Sequence, residues 1–161
     1  MYEEYWKLSA KPFRNTSDPA FFYHSRQHEE ALMKLGYAVG ENMGAAMLTG
    51  AYGCGKTFLI QVLLQQLGPS VRAVVCGAQP QMTPLDLLRL VARGMHEAAL
   101  PASRSDLLAD AMVEIIEKAL VENARDGRRT VVVIDEAHMI DNPSVLEATR
   151  LLLNFQDAGG F

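Results

Sequence analysis

The sequence has few cysteines, no long apolar run and no excess of positive charge, and each shortage argues against a class of protein. Two cysteines among 161 residues are too few for a disulfide framework, which favours a reducing compartment. No apolar stretch approaches the ~20 residues of a membrane span, and the N-terminus has no signal-peptide pattern. A net charge of −4 provides no general attraction to nucleic acid or to an anionic membrane. We therefore expect one cytoplasmic domain, without a structural zinc site because no cluster of His, Cys and acids has metal-ligand spacing.

A glycine-rich segment at residues 50–57 fits the P-loop pattern G-x-x-x-x-G-K-[ST] at every fixed position. The apolar run 45–48 before it predicts a strand and the run 58–64 after it predicts a helix, which is the context that this motif needs. The glycines let backbone N–H groups approach phosphates, Lys56 offers a positive charge to the β- and γ-phosphates, and the Thr57 hydroxyl suits Mg²⁺. The predicted nucleotide-binding residues are Gly50, Ala51, Tyr52, Gly53, Cys54, Gly55, Lys56, Thr57 and Phe58.

Two acids follow a branched apolar run later in the chain. The run 131–134 ends at Asp135 and Glu136, and such a run predicts a strand buried on both faces of a parallel sheet. Open α/β sheets bind ligands beyond the carboxyl ends of their strands, so both acids should emerge where the P-loop opens. We expect Asp135 to hold Mg²⁺ and Glu136 to deprotonate a water for in-line attack on the γ-phosphate.

Helix and strand signals alternate along the rest of the chain. Residues 1–24 are interpreted as an irregular aromatic arm, and residues 25–161 as the α/β core of a single domain spanning 1–161. Helices are predicted over 26–39 with Ser25 as the cap, and from 84 with Thr83 as the cap. Two more helices are predicted over 104–125 and from 143 to 156, and a strand is predicted over 71–76. The alternation predicts a three-layer α/β P-loop NTPase with a parallel sheet. The apolar stripes of two helices should bury Leu85, Leu88, Val91, Ala92, Met95, Leu108, Ala111, Met112, Ile115, Ala119 and Leu120.

Several segments outside the P-loop resemble one protein family. They are Tyr5-Trp6, Lys11-Pro12-Phe13, Asp18-Pro19-Ala20-Phe21-Phe22-Tyr23-His24-Ser25, His28-Glu29-Glu30-Ala31-Leu32, Ile134-Asp135-Glu136-Ala137-His138 and Leu151-Leu152-Leu153-Asn154-Phe155. Together with the P-loop they resemble the ExeA/GspA-type secretion ATPases, which are AAA+ proteins. In that family a cytoplasmic ATPase domain precedes a membrane span and a periplasmic peptidoglycan-binding part. A second inner-membrane protein is its partner, and the two assemble the outer-membrane secretin. Relatives serve pilus biogenesis, and a similar module occurs in transposition proteins.

The resemblance implies a role for each matching residue. The P-loop glycines, Lys56 and Thr57 match Walker A, although Phe58 stands where many relatives have a second threonine. Asp135 and Glu136 match Walker B and its catalytic glutamate. The segment before the P-loop commonly builds the adenine pocket, which makes Phe22, Tyr23 and His28 candidates for the base. Aromatic faces stack on purines, whereas the alternative for each of these three residues is ordinary packing in the core. ATP and Mg²⁺ are the implied ligands, and rings or partner-bound assemblies at the cytoplasmic face of the inner membrane are the implied setting.

An AAA+ core continues after Walker B with a sensor-1 strand, a fifth strand and a helical lid, and the sequence offers no candidate for them. We therefore expect a domain that is incomplete at its C-terminus and lacks the lid. Three functions stay open: an ATPase that drives assembly of a secretion complex, a nucleotide-dependent binding switch without turnover, and an ATPase partner in DNA transposition. Arg125, Arg128 and Arg129 form a small basic cluster that favours the third, whereas the acidic balance argues against it.

Overall fold

A computed structural model describes residues 2–9, 11, 18–95 and 109–155. The helices of these segments are α1 (Tyr2–Tyr5), α2 (Arg26–Gly40), α3 (Lys56–Leu67), α4 (Pro84–Met95), α5 (Ala109–Arg125) and α6 (Pro143–Asn154), and the strands are β1 (Val71–Gly77) and β2 (Arg129–Asp135). The predicted irregular arm thus contains the single turn α1 and a 3-10 turn at Pro19–Phe21. No helix within these segments is both long and apolar enough to cross a membrane.

The helices begin where capping chemistry predicts. The Ser25 hydroxyl accepts a hydrogen bond from the backbone N–H three residues later at 3.3 Å. The Asn142 side chain accepts one from the N–H two residues later at 3.0 Å. Before α4 the bonds are reciprocal, because the Thr83 N–H and hydroxyl both donate to the Asp86 carboxylate while the Asp86 N–H donates to Thr83 Oγ1. These bonds satisfy first-turn donors that have no partner within the helix, and they confirm the predicted starts of α2, α4 and α6.

β1 and β2 form a parallel pair whose register runs from Val71 opposite Arg129 to Gly77 opposite Asp135. The carboxyl end of β2 is fixed because the Asp135 carbonyl accepts a hydrogen bond from the N–H that follows β1, at 2.9 Å. Its amino end is tied to α2, since the Arg129 guanidinium donates to the carbonyls of Val39, at 2.7 Å, and of Gly40. The two strands therefore hold Asp135 at a defined edge of the sheet.

Within the described residues the core is divided into two apolar clusters. In the larger cluster, alternate residues of β1, Val74 and Cys76, face the helices α4, α5 and α6. The smaller cluster joins Phe22 and α2 to the buried side of α3. α3 follows the P-loop and packs in the smaller cluster, whereas β2 packs against the larger one. The side chains with no exposed surface all belong to the larger cluster and are Leu87, Val91, Ala92, Met112, Ile116 and Val145.

Two strand predictions are wrong in detail. Residues 45–48 form no strand in the described part of the chain, where the sheet has two strands, and Met47 is 85% exposed. β2 is half-buried along most of its length rather than buried on both faces. Val75, in the middle of β1, is 57% exposed. The reason is that the larger cluster covers one face of the small sheet, so apolar side chains that point the other way stay accessible. The described residues form a mixed α/β domain with a small parallel sheet.

The predicted apolar stripes agree with the buried faces of α4 and α5 to within a residue. On α4, four of the five predicted residues are buried, while Leu85 is half-buried and Leu87 is fully buried instead. On α5, Met112 and Ala119 are buried, but Ile116 rather than Ile115 is the residue with no exposed surface. Residues 104–108 and 156, which were also assigned to helices, lie outside the described residues.

Candidate nucleotide-binding site

The P-loop has the backbone that its glycines predict. Gly53 and Gly55 adopt left-handed backbone angles, with φ of +75° and +81°, which a residue with a Cβ rarely adopts. Gly50 lies close to the Cys54 side chain, since a Cβ at Gly50 would lie 2.8 Å from the Cys54 sulfur. α3 begins at Lys56, and its N-cap Gly55 makes no side-chain hydrogen bond to the first turn. The backbone N–H groups of that turn are therefore free of a side-chain cap and suit an anion.

Lys56 folds back over the loop. Its ammonium group donates hydrogen bonds of 3.0 Å to the carbonyls of Gly50 and Ala51. The same nitrogen lies 5.8 Å from the centre of the Tyr52 ring. These contacts place a full positive charge beside the loop amides, so charge and N–H donors converge as phosphate binding requires.

The P-loop and the acidic strand end meet as predicted. The Thr57 hydroxyl donates a hydrogen bond to Asp135 Oδ2 at 2.8 Å, across 78 residues of sequence. The other carboxylate oxygen, Oδ1, accepts the backbone N–H of Glu136 at 2.9 Å, which fixes the orientation of the carboxylate. A hydroxyl and a carboxylate oxygen are hard ligands of the kind that Mg²⁺ takes alongside phosphate oxygens and water. The two residues expected to hold the metal therefore fit it.

Glu136 begins a 3-10 turn, Ala137–Met139, with a left-handed backbone of φ +54°. Its carboxylate oxygen Oε2 lies 3.2 Å from His138 Nδ1. The opposite ring nitrogen of His138, Nε2, lies 3.1 Å from the Tyr52 hydroxyl. No role was predicted for His138 from the sequence. The only signal for this contact was a histidine two residues after the acidic pair, and nothing in the sequence related it to a P-loop tyrosine.

The adenine candidates lie in different environments. Phe22 is 9% exposed in the smaller cluster, with its ring 5.6 Å from that of Phe58 and 5.5 Å from that of His28. His28 contacts the P-loop directly, because its Nε2 lies 3.1 Å from the Cys54 carbonyl oxygen. The Tyr23 side chain is 79% exposed. Phe22, His28 and Phe58 thus lie together beside the P-loop, and packing accounts for Phe22. Adenine binding by these residues stays a prediction.

Two of the three arginines in the basic cluster already have partners within the chain. Arg128 forms an ion pair of 2.5 Å with Asp126, and Arg129 donates to the carbonyls at the end of α2. This cluster therefore offers less positive charge to a phosphate backbone than its sequence suggests.

Comparison with known proteins agrees with the site geometry. Over 157 residues, 97% of this chain, the sequence is 36% identical to General secretion pathway protein A of Aeromonas hydrophila. The match spans only 27% of that relative's length. No solved structure matches at a significant level. A family model described as an AAA domain matches residues 40–161, which includes the P-loop and both acids. The chain belongs to the AAA domain family, which implies nucleotide binding.

Proposed function

We propose that this chain binds ATP with Mg²⁺ and hydrolyses it, as a P-loop module of three-layer type. The hydrogen bond between Thr57 and Asp135 carries the proposal, because it brings a P-loop and a strand-end acid, distant in sequence, to one point at 2.8 Å. The similarity to General secretion pathway protein A supports a role in assembling a secretion or pilus complex on the cytoplasmic side of the membrane, with a protein partner. Self-association into a ring is part of the same proposal.

Each residue of the site has a chemical task in this proposal. The loop amides and the first turn of α3 bind the phosphates, and the Lys56 ammonium neutralises their charge. Thr57 and Asp135 would hold Mg²⁺, which supplies further charge neutralisation when bound. Glu136 takes the proton of a water that attacks the terminal phosphorus, while ADP leaves from the opposite side. Phe22, Tyr23 and His28 are the proposed adenine contacts.

Nucleotide binding is tested by thermal unfolding of the full chain with and without Mg²⁺–ATP. A ligand at about 100 times its dissociation constant stabilises a protein by about 2.7 kcal/mol. For a chain of this size each kcal/mol raises the Tm by about 2–4 °C. We expect a rise of that order in the wild type, none in Lys56→Ala, and an unchanged rise in Lys34→Ala. The control removes a lysine that forms an exposed ion pair with Glu30, far along α2. An equal rise in the Lys56→Ala chain would place the nucleotide elsewhere.

Hydrolysis is tested by phosphate release from the same chain and from Glu136→Gln. We expect the variant to bind ATP as well as the wild type, because the amide keeps the size of the side chain, and to release phosphate much more slowly because it cannot accept a proton. If both chains bind ATP and release phosphate equally slowly, the chain is a nucleotide-dependent switch rather than an ATPase. Salt-sensitive retention on DNA would instead favour the transposition-type function.

A further inference from the structure

Three side chains form a row of close contacts beside the P-loop, of which one is a hydrogen bond and the other a close approach of a ring nitrogen to a carboxylate oxygen. The Tyr52 hydroxyl lies 3.1 Å from His138 Nε2, and His138 Nδ1 lies 3.2 Å from Glu136 Oε2. Tyr52 belongs to the P-loop, whereas Glu136 and His138 follow β2. The contact between Tyr52 and His138 therefore joins residues 86 positions apart in the sequence. The tyrosine and histidine rings meet edge to face, with their centres 5.7 Å apart. This contact runs beside the bond between Thr57 and Asp135, which joins the same two segments.

The charges of the three groups favour one arrangement of the protons. A carboxylate oxygen repels a nitrogen lone pair, so the close approach of Glu136 favours a proton on the His138 nitrogen that faces it. In a neutral imidazole the other nitrogen is then an acceptor, and the Tyr52 hydroxyl can donate to it. A single neutral tautomer of His138 therefore satisfies both partners at once.

Glu136 needs such a contact because little else in the described residues holds its side chain. The carboxylate is 51% exposed and projects from a backbone in the left-handed region. An exposed glutamate ordinarily samples several rotamers, and only some of them point toward the phosphate site. The contact with His138, at 3.2 Å, favours one orientation. The bond from Tyr52 ties that orientation to the P-loop, where the Lys56 ammonium lies over the tyrosine ring.

We propose that His138 and Tyr52 are positioning residues for Glu136. They hold its carboxylate at a defined place relative to the P-loop, and neither touches the reacting atoms. The proposal rests on the proposed function, since it assigns Glu136 as the group that accepts the proton. It adds a specific requirement for the P-loop. The hydroxyl of its Tyr52 must hold His138, which in turn holds the Glu136 carboxylate.

The first test does not depend on catalysis. Nitrogen NMR of the histidine side chains, with the His138 signals identified by their loss in His138→Leu, reports which ring nitrogen carries the proton. We expect the proton of the neutral ring to lie on Nδ1 and not on Nε2. Tyr52→Phe should shift the Nε2 signal, Glu136→Gln should shift the Nδ1 signal, and the control Tyr37→Phe, on an exposed tyrosine of α2, should shift neither. Unchanged His138 signals in both Tyr52→Phe and Glu136→Gln would overturn the proposal.

The second test separates orientation from binding. Tyr52→Phe and His138→Leu should each lower kcat for phosphate release by up to about 100-fold, as expected for a displaced proton acceptor, while the ATP-induced rise in Tm stays unchanged in His138→Leu. The double variant should be no slower than the slower single variant, because the two residues act as one unit. His138→Asn should recover part of the rate, since its amide can still donate to Glu136. An unchanged or raised kcat in both single variants would overturn the proposal. If the wild type itself releases no phosphate, the proposed hydrolysis fails, and the NMR signals alone decide whether Tyr52 and His138 orient Glu136.

Discussion

Gly94 lies where α4 closely approaches Val74 of β1, and replacing it by alanine measures how tightly the larger cluster is packed. A Cβ on Gly94 would lie 2.3 Å from Cγ1 of Val74 and 3.3 Å from its Cβ. Ordinary van der Waals contact begins at 3.4 Å, so the overlap is about 1 Å. Val74 is β-branched and 2% exposed, which leaves it little freedom to rotate away. The helix must therefore move away from β1.

Two opposing effects set the size of the change. Alanine is favoured over glycine within a helix by up to about 1 kcal/mol. Overpacking a core typically costs about 1–3 kcal/mol, and an overlap with a buried branched side chain belongs at the upper end of that range. We expect Gly94→Ala to lower the free energy of unfolding by about 1–2 kcal/mol, or the Tm by about 2–8 °C.

The matched control is Gly36→Ala in α2, where the nearest atom to the new Cβ would be Leu63 Cδ1 at 4.0 Å. There the same substitution meets no obstacle and should stabilise the chain by about 0.4–1 kcal/mol. Urea unfolding measures the free energy of unfolding of both variants. A double variant of Gly94→Ala with Val74→Ala should be more stable, by at least about 1 kcal/mol, than the sum of the two single changes in that free energy predicts. If Gly94→Ala stabilises the chain as much as Gly36→Ala does, the close approach of α4 to β1 is wrong.

Further predictions concern titratable groups. Burial raises the pKa of the Cys76 thiol. Iodoacetamide at pH 8 should therefore alkylate the exposed Cys54 rapidly and Cys76 only on unfolding. Equal alkylation rates of the two cysteines in the folded chain would contradict the burial of Cys76. The Thr83 hydroxyl, with its backbone N–H, lowers the pKa of Asp86 in the folded chain. This bond therefore stabilises the fold above about pH 4, the unfolded value, and the gain is lost as the pH falls through the lower folded value. Asp86→Asn should be less stable than the wild type at pH 7, by under ~1 kcal/mol because the carboxylate is half exposed, and the difference should shrink on acidification. A difference that is constant from pH 7 to pH 2 would contradict the assignment.

Most of the site could be predicted from the sequence because its chemistry is encoded locally. The glycines at 53 and 55 are required by a left-handed backbone, and a lysine and a threonine follow at fixed spacing. The meeting of Thr57 with Asp135 was also predictable, since parallel strands open at one edge of a sheet. The AAA family was expected from a resemblance carried by the P-loop together with segments outside it, and the AAA domain match confirmed it.

The contacts that escaped prediction depend on distances between segments that no local pattern encodes. The bond between Tyr52 and His138 requires both the loop conformation and the placement of β2. The run 45–48 has the composition of a strand, but a strand also needs a neighbour to complete its ladder. The residue of α5 that becomes fully buried, Ile116 rather than Ile115, depends on the angle at which α4 and β2 pack against that helix. A helical stripe in the sequence leaves that angle undetermined.

The division of the core into two clusters gives polar cross-links a part in joining them. The α2–α3 half and the sheet half meet where α3 contacts β1. They also share the Arg129 bonds to Val39 and Gly40 at one end, and the bond from Thr57 to Asp135 at the other. Because each half has its own apolar interior, we expect each to open as a separate cooperative unit. A nucleotide bound at the proposed site would contact both Thr57 and Asp135 and so join the two halves. Amide exchange should then slow in both halves, even at residues far from any phosphate.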